Sequence, residues 1–382
     1  MAKIRDILII GGGPAGLSTA LHLVQIAPQL AERTLVLEKA TYPRPKLCAG
    51  GLTVDAEVLL SRLGLDVYEV PCARAESVYL QFEGRGLRVH PLRSPALRII
   101  RRDEFDHWLA QKVRQKGVEI REDVQVKAVH AQAGTVLVET NGGEFDARLV
   151  VGADGSNGVV RAAILPGQPL QTARLLEVIC SPQENARHQP DCAYFDFFCI
   201  SNGIAGYSWD FPTQIQGQPR RAWGIFDNNL LADGQRAPLK GQLAEEMTRN
   251  GYTLQESDLQ GHPLRWFDPR AEFSVPGVLL AGDAAGSDPL FGEGISLALG
   301  YGKLAAQSIR AAFETGDFSF REYRRRILRS SLGQTLCLRW LCAHILYSLH
   351  WSWFQRLVWR FLKPVVLLAG WLLVLNWGKR LR

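Results

Sequence analysis

Ile7-Leu8-Ile9-Ile10-Gly11-Gly12-Gly13-Pro14-Ala15-Gly16 decides the reading of this chain. The four aliphatic residues suit a short strand buried on both faces, and Leu17–Ala27 has helical periodicity with no breaker before Pro28. Between them Gly11 permits a tight turn, Gly13 lets the backbone approach a pyrophosphate, and Gly16 lets helix and strand pack closely. The helix N-terminus then offers free N–H groups and positive dipole to the phosphates. Thr34–Leu37 reads as the second strand and ends in Glu38, whose carboxylate can accept hydrogen bonds from a ribose hydroxyl pair. A glycine string alone is an ordinary turn. Strand, turn, helix, strand and acid in this order predict a dinucleotide-binding domain.

Three later segments extend the pattern: Arg102-Asp103-Glu104-Phe105-Asp106, Val150-Val151-Gly152-Ala153-Asp154-Gly155-Ser156, and Leu279-Leu280-Ala281-Gly282-Asp283-Ala284-Ala285-Gly286. Each by itself fits a strand ending in a loop. Together they resemble the flavoprotein superfamily of para-hydroxybenzoate hydroxylase-type monooxygenases, flavin halogenases and geranylgeranyl reductases. That resemblance implies FAD as cofactor, with Arg102 contributing an arginine to it. It also implies Asp154 near the pyrophosphate and the nicotinamide approach, and Asp283 at the ribityl chain.

Two segments point to one branch. Pro43-Arg44-Pro45-Lys46-Leu47-Cys48-Ala49-Gly50-Gly51 resembles the Pro-Arg-x-Lys-x-Cys-Gly-Gly-Gly segment of geranylgeranyl reductases, with Ala49 replacing one glycine. Its two consecutive glycines let backbone amides approach a flat ring. Gly206-Tyr207-Ser208-Trp209-Asp210-Phe211-Pro212 is similar to their Gly-Tyr-x-Trp-x-Phe-Pro segment, where halogenases carry Gly-Trp-x-Trp-x-Ile-Pro. On a strand, Tyr207, Trp209 and Phe211 share one face, an aromatic stripe suited to a long apolar substrate or simply to a core. Pro289-Leu290-Phe291-Gly292-Glu293-Gly294-Ile295 matches the loop that meets the flavin pyrimidine, with Glu293 where lipid reductases more often have glycine. The resemblance implies flavin contacts at Gly11, Gly13, Ala15, Gly16 and Glu38, and at Lys46, Cys48, Ala49 and Gly51. It extends them to Arg102, Val126, Asp154, Asp283, Gly294 and Ile295. Cys48 and Trp209 are expected to line the reacting face, with Tyr207 as a further proton donor. Cys48 reads equally as an apolar filler, since thiol activation needs a neighbouring charge.

The expected architecture is α/β: a discontinuous Rossmann-type FAD domain (1–74, 98–162 and 264–315) and an antiparallel-sheet substrate domain (75–97 and 163–263). A C-terminal helical, membrane-associating region (316–382) completes it. Strand patterns at Ser77–Phe82, Cys192–Ile200 and Arg221–Asp227 support the second domain, and Gln216–Arg221 and Ser181–Pro190 are the expected exposed loops.

Composition adds the last part. The 382 residues carry 44 Lys plus Arg against 38 Asp plus Glu, a net of +6. From Tyr323 to Arg382 there are eleven basic residues, no acidic one, and six of the ten Trp: 340, 351, 353, 359, 371 and 377. A mildly acidic body therefore carries a basic tail, which argues against nucleic-acid binding by the chain as a whole. Pro364–Leu375 is wholly apolar, but at ~1.5 Å per residue it reaches only ~18 Å against a ~30 Å hydrocarbon core. A surface-lying or re-entrant anchor on the cytoplasmic side of a membrane is expected; a buried helical unit would explain the apolar runs without the missing carboxylates. Seven Cys without metal spacing read as reduced thiols, no metal is expected, and no signal peptide precedes the first strand. The expected reaction is reduction of an isoprenoid or similar lipid double bond by hydride from flavin N5. The electron donor would be NADPH, bound transiently for want of a second dinucleotide domain, or ferredoxin. A monooxygenase or halogenase, and a non-enzymatic flavoprotein, are the other two classes.

Overall fold

The computed structural model describes residues 3–91, 95–132, 134–168, 171–231, 237–370 and 376–381. β1 (Lys3–Ile10) lies at the centre of the first sheet, parallel to β2 (Thr34–Leu37) on one side and to Gly143–Gly152 on the other. Glu119–Arg121 extends the sheet beyond β2, and Val278–Leu280 extends it beyond Gly143–Gly152, both in parallel. Ile7, Leu8 and Ile9 have no solvent exposure, as a strand covered on both faces requires. One face is covered by α1 (Pro14–Ile26) and by the long helix Ile295–Thr315, which meet through small residues. A Cβ on Gly302 would lie 2.6 Å from the Ser18 hydroxyl oxygen, and that hydroxyl donates to the Leu299 carbonyl at 2.8 Å.

Four of the predicted motifs follow the carboxyl ends of four parallel strands in this one sheet: Gly11 after β1, Glu38 after β2, Asp154 after Gly143–Gly152, and Asp283 after Val278–Leu280. In open α/β sheets ligands bind at this edge.

The second sheet has seven strands in the order Gln260–Arg265, Thr172–Cys180, Gln218–Asp227, Gly206–Ile215, Cys192–Asp196, Ser77–Phe82 and Arg85–Val89. The expectation of an antiparallel sheet needs one correction. Cys192–Asp196 pairs in parallel with Ser77–Phe82, because these strands come from separate excursions of the chain. Leu97–Ile100 instead joins a small three-stranded sheet with Gly51–Leu52 and Cys72–Ala75. Of the stretch Gln216–Arg221, Gln216–Pro219 is exposed as expected, whereas Arg221 is buried against Asp210 (Nε–Oδ1 2.7 Å).

The C-terminal region differs more from expectation. It is helical over Tyr323–Arg329, Ser331–Ser348, Ser352–Arg360, Lys363–Ala369 and Trp377–Arg380, but much of it packs into the body. Trp377 is fully buried against Gly300, and Arg62 donates to the carbonyls of Gly378 (2.8 Å), Lys379 (2.6 Å) and Leu381 (2.7 Å). Trp359 stacks on Phe197 with ring centroids 4.5 Å apart. Arg339 is fully buried between Asp288 and Glu293, two carboxylates of the body. The carboxylates absent from the tail are thus supplied to Arg339 by the body. Among the described residues no helix is long and apolar enough to cross a membrane. Trp371 and the rest of the run to Leu375 lie outside the described residues.

Candidate functional site

At the sheet edge the β1–α1 turn builds an anion cradle. Gly11 has φ +107°, and a Cβ there would stand 2.3 Å from the Ala153 carbonyl oxygen, so only glycine fits. Gly16 sits where a Cβ would meet the Gly11 carbonyl at 2.0 Å. Gly13, by contrast, faces open space: the atoms nearest to an added Cβ are the Nη2 groups of Arg44 and Arg102, both 3.9 Å away. No side chain caps α1 at Gly13, so its first amides stay free beside two guanidinium groups.

These guanidinium groups are held by carboxylates. Arg102 pairs with Asp106 through two 2.8 Å bonds, while Arg44 lies 3.1 Å from Glu38 and 3.3 Å from Asp106. Burial works against the Arg102 charge, yet Asp106 holds its pKa above the ordinary arginine value. Glu38 accepts from the amides of Gly12 (2.9 Å) and Ala40 (3.0 Å), which fixes its carboxylate at the end of β2. Asp154 accepts from the Val160 amide at 3.0 Å through one oxygen, while its other oxygen is buried without a partner. Burial pushes its pKa up to about 6.

Farther in, Lys46 Nζ lies 2.6 Å from His262 Nε2. Burial, with Lys46 and Arg102 nearby, pushes His262 down to about 4, so a neutral imidazole accepts from the ammonium. Burial also lowers the Lys46 pKa and raises those of Cys48 and Asp283. Cys48 therefore keeps its proton and is no activated nucleophile.

The cavity of about 1120 Å³ continues from this cradle over the second sheet. Leu175, Phe195, Tyr207, Trp209, Phe211 and Phe226 line it there, and Cys342, Leu346, Val358, Trp359 and Val366 of the C-terminal helices close it. The loop Pro289–Ile295 stands between the two halves. Tyr207 donates its hydroxyl to the Phe291 carbonyl at 2.5 Å, Asn228 donates to the Pro289 carbonyl at 2.5 Å, and Tyr347 donates to that of Leu290. Arg339 pairs with Asp288 at 2.8 Å and with Glu293 at 2.6 Å, and Thr53 donates to Glu293 at 2.9 Å. Glu293 thus has a partner of opposite charge that arrives from outside the predicted flavin domain.

Every site residue predicted from the sequence lines this cavity except Gly16, which sits behind it against Gly11. The sequence reading missed Asp106, Glu177, His262 and Arg339. Asp106 stood in a quoted motif, and Glu177 could be noticed as a lone carboxylate in Leu175-Leu176-Glu177-Val178-Ile179. His262 and Arg339 carry no local signal. Among the described residues no cluster of potential ligands could hold a metal ion, and all seven cysteines are free thiols.

A flavin dinucleotide fits these residues. The open space at Gly13, the free helix amides and the buried unpartnered atoms Arg44 Nε and Asp154 Oδ1 are what its pyrophosphate and polar edges would engage. Glu38 would take the ribose, Arg44 and Arg102 the pyrophosphate, and Asp283 the ribityl chain.

Comparison with known proteins agrees. The chain is 28% identical over 335 residues to the digeranylgeranylglycerophospholipid reductase of Thermoplasma volcanium, covering 82% of this chain and 80% of that protein. Its fold matches a geranylgeranyl bacteriochlorophyll reductase-like protein from Thermoplasma acidophilum with a TM-score of 0.80 and 22% identity, covering 99% of this chain and 98% of that one. The halogenase PltM in complex with phloroglucinol and FAD is a more distant likeness, with a TM-score of 0.69 and 16% identity over 96% of this chain and 80% of that one. The model of the FAD binding domain family matches residues 5–300, so the chain belongs to that family and is an FAD-dependent oxidoreductase.

Proposed function

We propose that this enzyme reduces carbon–carbon double bonds of an isoprenoid-type lipid. The observation that carries this reading is the continuity of one cavity, with a charged cradle at one end and an aromatic and aliphatic chamber at the other. The similarity to digeranylgeranylglycerophospholipid reductase supports it. Bound FAD supplies the hydride; the chain's residues bind, orient and exclude water. Arg44, Arg102 and the α1 amides fix the dinucleotide, and the loop Pro289–Ile295 presents backbone to the ring. The chamber aligns an apolar chain by shape, since few polar groups line it. Electrons come from outside, from NADPH or ferredoxin.

We further propose that the enzyme works on the cytoplasmic surface of a membrane. Eleven of the thirteen exposed large apolar side chains among the described residues lie between Leu338 and Leu368. Leu338, Leu341 and Ile345 form one outward face of a helix whose other face carries Arg339, Ala343 and Tyr347 into the body. Apolar exposure with Arg360 and Lys363 beside it suits an anionic lipid surface.

The test is to reconstitute the full chain with FAD, reduce it with dithionite without oxygen, and supply digeranylgeranyl glycerophospholipid. A product heavier by two hydrogens per reduced bond is expected, and absence of any such product on prenyl lipids overturns the reading. The likeness to the halogenase with phloroglucinol and FAD favours a second reading, oxygen-dependent chemistry on an aromatic. Substrate-coupled O2 consumption with an oxygenated or halogenated product would establish it.

A further inference from the structure

Reducing a double bond needs a proton as well as a hydride, so a group that lines the chamber must donate one or relay it from water. The titratable groups on its inner wall are few. Tyr207 has committed its hydroxyl to the Phe291 carbonyl, and burial raises its pKa. His262 is neutral and accepts from Lys46. Burial holds the proton on Cys48.

Glu177 is different. It lies on the strand Thr172–Cys180, is 3% exposed, and lines the cavity. The Cys48 backbone amide donates to its carboxyl group, while Oε2 is buried with no partner. Its place in the sheet gives it a clear approach. Glu177 and Trp209 both pair with Gly224, one from each neighbouring strand. Because Gly224 has no side chain, the Trp209 indole lies over it, where a Cβ would come within 2.0 Å of the ring. Trp209 Nε1 is likewise buried without a partner. Two unpartnered polar atoms thus belong to cavity-lining residues that pair with one and the same glycine. Leaving a buried polar atom unpartnered is costly, and a ligand's arrival removes that cost.

We propose that Glu177 is the catalytic acid of the reduction, transferring its carboxyl proton to the substrate carbon beside the one that receives hydride. This rests on the reductase reading above. The double bond gains a hydride, two electrons included, from FAD in its reduced form, and a proton from Glu177. FAD is left oxidised and Glu177 becomes a carboxylate that regains its proton from solvent when product leaves. Burial pushes the Glu177 pKa up to about 7, so near neutral pH a substantial share of the molecules carries the proton and can release it. The other charged and titratable groups around it are Cys48, Arg101 and Arg102 at the helix start, and the Lys46–His262 pair. Arg101 and the Cys48 amide favour the carboxylate once it forms.

The experiment compares full-length, FAD-loaded wild type with Glu177→Gln and Glu177→Asp. Infrared difference spectra across pH 5–9, taken without substrate, should show a protonated carboxyl band in wild type that titrates near pH 7 and is missing from Glu177→Gln. In single turnover with geranylgeranyl diphosphate after dithionite reduction, the wild-type rate constant for product formation should fall above pH 7, approaching about tenfold per unit. Glu177→Gln should react about 100-fold more slowly or worse, with no such fall, while its FAD Kd and melting temperature stay near wild type. Glu177→Asp should recover part of the rate. A Glu177→Gln enzyme within about threefold of wild type, or one that keeps the alkaline fall, overturns the assignment alone. A wild type that transfers hydrogen to no prenyl probe sinks the reductase reading and this assignment with it.

Discussion

The two halves of the cavity are built on opposite rules. The cradle is made of backbone and charge: glycines that admit no Cβ, free helix amides, and guanidinium groups paired to carboxylates. The chamber is made of side-chain bulk, with Phe195 in ring contact with Tyr207, Phe211 and Phe291, and Trp359 laid over Phe197. Charge and backbone geometry specify a fixed polar ligand, whereas bulk specifies only shape and length. The cradle should therefore fail all at once when one atom is added, and the chamber should fail by degrees.

The largest effect is expected at Gly11. Gly11→Ala adds a Cβ 2.3 Å from the Ala153 carbonyl at φ +107°, straining the turn and forcing β1 from its neighbour. Purified protein should carry no measurable FAD by its visible absorption. A variant that retains stoichiometric FAD would show the cradle to be as forgiving as the chamber.

The second effect concerns the bond between the halves. Arg339→Met leaves Asp288 and Glu293 buried without their cation, and breaking such a set costs about 3–5 kcal/mol. Removing the charges together, as Arg339→Met with Asp288→Asn and Glu293→Gln, should recover most of that loss in urea unfolding. If the triple variant is no more stable than the single one, the loss came from packing of the aliphatic stem and not from charge.

This triad also shows where reading the sequence stops. Ile7–Gly16, Thr34–Glu38, Gly152–Asp154 and Leu280–Asp283 were legible because a strand running into a glycine turn is a local event, written in adjacent residues. Arg339 reaches carboxylates 46 and 51 positions away, and no local pattern announces that. In the tail, basic and Trp residues without carboxylates look the same whether they meet lipid or body. The fold divides them: Trp359 and Trp377 go inward, Trp351 and Trp353 outward. Glu177 was missed for a related reason, since a carboxylate in an apolar strand gains meaning only from Gly224 and Cys48 beside it.

A third, smaller effect separates the halves directly. Trp359→Ala removes an indole that is 4% exposed at the chamber roof, at a cost of about 3 kcal/mol. FAD affinity should stay within about threefold, while KM for a prenyl lipid rises, about tenfold for loss of a large apolar contact. Equal losses of FAD and lipid binding would mean that the two halves are one cooperative unit.

The smallest effect on the folded body is expected at Trp351 and Trp353. Their rings stack on each other with centroids 6.1 Å apart and are 51% and 63% exposed. Replacing both with Ser removes no interior contact, so stability should change by less than about 0.5 kcal/mol. Yet exposed rings of this size lose apolar area to water unless something covers them, and the proposed cover is lipid. Flotation with vesicles containing phosphatidylglycerol should therefore weaken in Trp351→Ser/Trp353→Ser, while turnover on a detergent-solubilised prenyl substrate stays at the wild-type rate. Trp359, on the next helix turns but facing inward, is the internal control: its loss should disturb turnover and leave flotation alone. If both replacements act alike on flotation, the division of the tail into an inward and an outward face is wrong.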